Sequence, residues 1–247
     1  SYVFGTVHII CSDKYVWTKS MQNSFEKCDE VCFEMDMDDP SLMTKIAFGM
    51  MARDGKTLNS YFSNEDYLIL KKYFIDSIGV DISAFASMKP IVLQTLLATG
   101  PVTCDSPMSY EVQLSEKAAN FKKEITGLES PEEQIQLLDK IPVDSIVAEV
   151  VRIIHGEQDE SGMYEDLINA YSNQNLPEVY SFILQAKEDG DDMNVFIDER
   201  NEKWIVRMVE KMEQKPTFFA VGAGHLYGEK GLISLLRQSG YTVKPVR

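Results

Sequence analysis

The chain has 247 residues, 44% of them hydrophobic, with a formal charge of −15 and a pI near 4.6. That length and apolar content allow a substantial core, while the acidic balance argues against nucleic acid, which needs clustered Lys and Arg. No stretch reaches the roughly 18 uninterrupted apolar residues of a membrane span, and the chain opens directly on strand-like Tyr2-Val3-Phe4 without a signal peptide, as a trimmed or processed product would.

The first strand is expected over roughly residues 1–10 and carries Gly5-Thr6-Val7-His8. Val16, Trp17, Met21, Phe25 and Cys28 then recur near helical spacing. Glu30 to Met35 reads as a second buried strand, closed by the acidic turn Asp36-Met37-Asp38-Asp39-Pro40. This is a β-α-β unit, which favours parallel strands and a right-handed crossover. Residues from about 41 to 120 read as helical, with breaks at Asp54-Gly55, Lys89-Pro90, Gly100-Pro101 and Ser106-Pro107. A third strand, Glu124 to Glu129, runs into Ser130-Pro131-Glu132-Glu133, a capping box reinforced by proline at the first helical position. Residues 142–213 read as almost wholly helical, ending in a segment through Arg200, Trp204, Met208 and Met212. The chain closes with a strand over 217–223, a helix over 229–238 and a last strand, Tyr241-Thr242-Val243. Strand–helix units at both ends predict one α/β domain over residues 1–247, its mostly parallel sheet carrying helical insertions at about 41–120 and 142–213.

Four cysteines are too few for a disulfide framework at this size. Cys28 and Cys32 lack the second pair that a metal site would show, so both are expected as buried thiols. One disulfide involving Cys11 or Cys104 is left open.

Ligands of a parallel sheet sit outside the carboxyl ends of its strands. His8, Glu34, Glu129 and His225 fall at such ends, and Gly222-Ala223-Gly224-His225 repeats the Gly-x-x-His pattern of the first strand. Two imidazoles and one or two carboxylates suit a divalent transition metal with open positions. They equally suit a metal-free pair in which a carboxylate assists a His that activates water. Arg200, in the charged segment Asp198-Glu199-Arg200-Asn201, can hold a carboxylate or an oxyanion by bidentate hydrogen bonds, although a solvated helix face is the ordinary reading of such a run. His155 is explained as a helix C-terminal residue.

Taken together, Gly5-Thr6-Val7-His8, Phe33-Glu34-Met35-Asp36, Gly127-Leu128-Glu129-Ser130 with Gln134, Asp198-Glu199-Arg200-Asn201 with Trp204, and Gly222-Ala223-Gly224-His225-Leu226 resemble the TraB/GumN family over nearly the whole chain. That family includes bacterial pheromone-shutdown proteins and the Tiki proteases. The resemblance implies a fold related to the erythromycin-esterase and ChaN-like group. It also implies a metal-dependent peptidase that favours manganese or cobalt, with zinc also compatible. His8, Glu34 and His225 match its metal-binding positions, and Arg200 and Asn201 match its Arg-Asn pair. Glu129 matches its central glutamate, as a further ligand or a general base. The substrate would be a peptide or small protein, the first helical insertion would roof the cleft, and a bacterial member would be exported, periplasmic or lipid-anchored. Two alternatives stay open: a metal-free His/Glu esterase-like hydrolase, and a non-catalytic protein that binds a peptide, a pheromone or haem. Substrate identity and oligomeric state are not legible in the sequence.

Overall fold

A computed structural model describes residues 1–99, 104, 106–156, 160–188 and 194–246. The chain forms an α/β fold around four parallel strands, β1 (Tyr2–Thr6), β3 (Glu30–Met35), β5 (Glu124–Glu129) and β6 (Thr217–Gly222), in the spatial order β1-β6-β3-β5. Two short strands, β2 (Ile10–Cys11) and β4 (Pro107–Met108), pair antiparallel beside them. The expected first strand is therefore divided. Its ladder with β6 ends at Thr6, and the chain re-enters a strand only at Ile10. Thr6 faces Gly222 across one ladder and Met35 faces Glu129 across another, so the carboxyl ends of all four strands lie along one edge.

The near-continuous apolar runs of β3 and β6 match their central positions, since a strand covered on both faces has no polar side to show. Phe218 and Phe219 point to opposite faces. Phe218 meets Phe4, Trp17 and Phe25, with ring centroids 5.3–6.3 Å apart. Phe219 joins a core with Cys32, Leu128 and Val221, Trp204 and Met208 of α10 (Glu199–Gln214), and Leu232 and Leu236 of α11 (Leu232–Gln238).

The chain divides into two compact units. One comprises residues 1–42, 104–130 and 165–247 and holds the sheet, and the other comprises 43–103 and 131–164. In the first, α1 (Lys19–Glu26) is capped by Thr18, whose hydroxyl accepts the Met21 N–H. The helices α5 (Tyr110–Asn120), α9 (Leu176–Glu188) and α10 belong to the sheet unit, although they fall within the stretches read as insertions. The second unit is helical. Leu70 of α3 (Asn64–Tyr73), Leu93 of α4 (Ile91–Thr99), Ile146 and Val150 of α7 (Val143–Ile154), and Phe74 form its core. His155 is the C-cap of α7, and its Nε2 lies 2.9 Å from Asp66 Oδ1. The capping sequence places the start of α6 (Pro131–Leu138) at its proline.

Cys28 and Cys32 are free and buried, and Cys11 is bonded to Cys104. The expected last strand is absent. Tyr241 and Val243 pack on the core that the sheet shares with α10 and α11, but the Tyr241 N–H donates to Leu236 O at 3.0 Å and Val243 O accepts from Arg237. The hydrogen bonds of this segment thus go to the end of α11, and its alternating pattern reflects packing on that shared core without a place in the sheet.

Candidate active site at the carboxyl edge of the sheet

The strand register brings His8, Glu34, Glu129 and His225 to one edge, where α10 adds Arg200, Asn201 and Trp204. Arg200 is central. Its Nε and Nη2 grip Glu129 at 3.3 and 2.6 Å, Nη2 also donates to Glu34 Oε2 at 2.5 Å, and Nη1 donates to Phe196 O at 3.3 Å. The guanidinium lies over the Trp204 ring, 4.4 Å from its centroid, and Trp204 Nε1 donates to Glu129 Oε2 at 3.1 Å. Both oxygens of the buried Glu129 are thereby engaged. One turn of a π-helix, Asn194–Asp198, supplies the Phe196 carbonyl just before α10.

Glu34 stands at the end of a buried strand with its second oxygen accepting the Gly222 N–H at 2.8 Å. A Cβ on Gly222 would lie 3.2 Å from that oxygen, so glycine there lets the backbone of β6 approach the carboxylate. Burial works to raise the Glu34 pKa, but His225, Arg200, the Gly222 N–H and His8 outweigh it and hold the carboxyl down at about 2.

His225 is buried in a single 3-10 turn, Ala223–His225, directly after β6, and its ring stacks obliquely on Trp204 at 4.4 Å. Asn201 fixes its tautomer. The amide nitrogen of Asn201 donates to two carbonyls, His225 O at 3.2 Å and Lys230 O at 2.8 Å, which leaves its oxygen to accept from His225 Nδ1 at 2.8 Å. The proton therefore sits on Nδ1 and the lone pair on Nε2. Burial pushes the His225 pKa down to about 4, with Arg200 and His8 adding to the effect and Glu34 opposing it, so the ring is neutral at pH 7. Its Nε2 lies 3.9 Å from Glu34 Oε1 and 3.2 Å from Arg200 Nη1.

His8 follows β1, two residues beyond the register pair Thr6 and Gly222, with its side chain 80% exposed. Its Nδ1 is 3.2 Å from Glu111 Oε1. That contact raises the His8 pKa, aided by the charges of Glu111 and Glu34 and opposed by that of Arg200. Glu111, in the first turn of α5, gives no signal in the sequence, because a lone acid early in a helix is the ordinary response to the helix dipole. Burial works to raise its carboxyl, and the hydrogen bonds from His8 and Ser109 hold it below the usual range.

The fit to a divalent ion can be judged from these donors. Two ligands each about 2.0–2.2 Å from a common ion lie no more than about 4.4 Å apart, and His225 Nε2 and Glu34 Oε1 meet that limit at 3.9 Å. An unprotonated imidazole nitrogen and an ionised carboxylate suit manganese, cobalt or zinc in kind. Among the described residues no group of three or more His, Cys, Asp or Glu side chains is arranged to hold a metal ion. The donor chemistry fits, with two donors facing each other and His8 turned to Glu111.

A model of the TraB/PrgY/gumN family matches residues 1–245. Among curated proteins, the chain is similar to "Metalloprotease TIKI2" of Xenopus tropicalis, 22% identical over 99% of this chain and 57% of that relative. It is similar also to "Metalloprotease TIKI1" of Danio rerio, at 21% over 99% of this chain and 60% of the relative, and to "Metalloprotease TIKI1" of Homo sapiens, at 24% over 99% and 59%. The chain thus spans somewhat under two thirds of the length of these relatives. No solved structure matches it significantly. The chain belongs to the TraB/PrgY/gumN family.

Proposed function

We propose that this chain is a metal-dependent hydrolase of peptide bonds, with His8, Glu34 and His225 as the residues that would hold a divalent cation, manganese or cobalt in preference to zinc. One observation carries the reading: an ionised, buried carboxylate faces, at 3.9 Å, an imidazole nitrogen whose lone pair is fixed by Asn201. Family membership and the names of the curated relatives support it. A bound divalent cation would lower the pKa of a water molecule and polarise the scissile carbonyl.

The remaining work falls to the chain itself. Gly222 N–H anchors one oxygen of Glu34 and keeps the carboxylate aimed at His225. Asn201 keeps His225 Nε2 free of its proton, the state in which the ring can bind a cation. Arg200 steadies the Glu34 carboxylate, because Glu129 clamps it and Trp204 supports its face. Glu129 is assigned here to holding Arg200, since its oxygens are committed to Arg200 and Trp204. The substrate in this reading is a peptide or small protein. The test is hydrolysis of peptides with added Mn²⁺ or Co²⁺. His8→Ala and His225→Ala are expected to abolish it, and undiminished activity in both would refute the assignment.

A second reading, a metal-free hydrolase, is favoured by one contact: Arg200 Nη1 already lies 3.2 Å from His225 Nε2. In that case neutral His225 takes a proton from water beside Glu34. Full activity in EDTA from protein shown by elemental analysis to carry no metal would decide for it. We also propose an exported setting, supported by the Cys11–Cys104 disulfide, since such bonds persist in oxidising compartments.

A further inference from the structure

Glu111 is held in place with unusual thoroughness for an acid beside an exposed histidine. Thr6 Oγ1 donates to its Oε1 and Ser109 Oγ to its Oε2, each at 2.8 Å, and its carboxyl is only 16% exposed. Thr6 is itself buried at the end of β1, and Ser109 is the N-cap of α5, accepting the Val112 N–H. The segments on either side are tied together as well. After His8, Ile10 and Cys11 pair with Met108 and Pro107, Ser12 N donates to Ser106 O at 3.1 Å, and Cys11 is bonded to Cys104. A two-stranded ribbon and a covalent bond thus fasten the loop carrying His8 to the start of the helix carrying Glu111.

An ionised carboxylate only accepts hydrogen bonds. His8 Nδ1, 3.2 Å from Glu111 Oε1, must therefore carry the proton, which leaves Nε2 as the ring's acceptor. Asn201 imposes the same tautomer on His225 through the same ring atom. We infer that Glu111 is the positioning residue of His8, fixing the ring through Nδ1 so that Nε2 is the atom offered to the site, as Asn201 does for His225. In its bearing on cation binding the inference rests on the hydrolase reading above. An ordinary surface ion pair would contribute little, but such a pair does not recruit two further hydroxyl donors to a carboxylate mostly withdrawn from solvent.

The test begins with long-range 1H–15N spectra of the histidine rings at a pH where His8 is neutral. In the wild-type chain His8 should be protonated at Nδ1. Glu111→Ala should release it toward the Nε2–H form that an unconstrained imidazole prefers, whereas Glu111→Gln, which keeps an acceptor oxygen, should preserve Nδ1–H. Calorimetric titration with Mn²⁺ or Co²⁺ should show affinity about 10- to 100-fold weaker for Glu111→Ala, the effect of losing a partner behind a metal-binding histidine, and a smaller loss for Glu111→Gln. An Nε2–H tautomer in the wild-type chain overturns the inference. So does an unchanged tautomer in folded Glu111→Ala, or a changed tautomer with unchanged affinity. If Glu111→Ala does not fold, the wild-type tautomer decides alone. A wild-type chain that binds neither ion refutes the metal reading, while the spectra still decide the role of Glu111.

Discussion

Replacing Arg200 with methionine removes a cation that two carboxylates, Glu34 and Glu129, share. Glu34 and Glu129 have side chains only 15% and 4% exposed, and Arg200 contacts both at 2.5–2.6 Å. Breaking a buried ion pair by deleting one partner typically costs about 3–5 kcal/mol. The depression of Glu34 from an ordinary 4.5 to about 2 has the charge of Arg200 as one cause, after that of His225 and beside the Gly222 N–H and His8. At about 1.4 kcal/mol per unit the whole depression corresponds to about 3 kcal/mol, of which the Arg200 pair supplies a part that is already counted in the first figure. The stranded Glu34 carboxyl has an escape, since it can take up a proton. At pH 7 that costs about 3 kcal/mol for a group of ordinary pKa, which limits the share of the loss that comes from Glu34. The sign of the pH dependence follows. A carboxyl depressed in the folded state contributes stability that is present above 4.5 and lost as pH falls toward 2. The deficit of Arg200→Met should therefore be about 3–5 kcal/mol at pH 7 and should shrink as the pH is lowered through 4.5. Urea denaturation of both proteins at pH 7 and pH 4 measures it. A deficit below 1 kcal/mol at pH 7, or one equal at both pH values, would refute the reasoning.

At the opposite end of the sheet, Glu30 is 1% exposed and is held by Lys211 at 2.8 Å, by Lys215 at 3.5 Å and by the Thr126 and Thr217 hydroxyls. Lys211→Met should cost about 2–3 kcal/mol, less than loss of a sole partner because Lys215 remains, and thermal denaturation will show it. Gly127→Ala should be as harmful without changing any charge. Its Cβ would stand 2.5 Å from Asp36 N and 2.8 Å from Met35 C, both backbone atoms. A loss of about 3 kcal/mol is expected, and a melting temperature unchanged from wild type would show that β3 and β5 can separate at that point.

The parts of the site that could be read in advance are those that parallel-sheet geometry determines. A strand ending in glycine and then histidine presents its imidazole at the carboxyl edge, and an acid closing a strand with no polar face must be engaged there, which located His8, His225 and Glu34. Strand order was not legible, because nothing in Thr217 to Gly222 says that this strand enters between β1 and β3. Glu111 was hidden for a different reason, since its meaning depends on a hydroxyl 105 positions away. The Cys11–Cys104 bond and the β2–β4 ribbon are likewise facts of chain return. Tyr241-Thr242-Val243 shows the reverse case, in which alternation of apolar residues records packing on the core and not a place in a sheet.

The position of β6 also orders events in time. It comes after the other three described strands of the sheet in chain order, yet it lies between the first and second of them. Until residues 217–222 arrive, β1 and β3 have no common partner and keep unpaired edges toward each other, the condition that invites association between chains. Gly222 and His225 arrive with that strand, so the insertion that seals the sheet also completes the cluster around Glu34. A chain made only as far as residue 216 therefore has β1 separated from β3 and Glu34 without the Gly222 N–H and His225 that surround it.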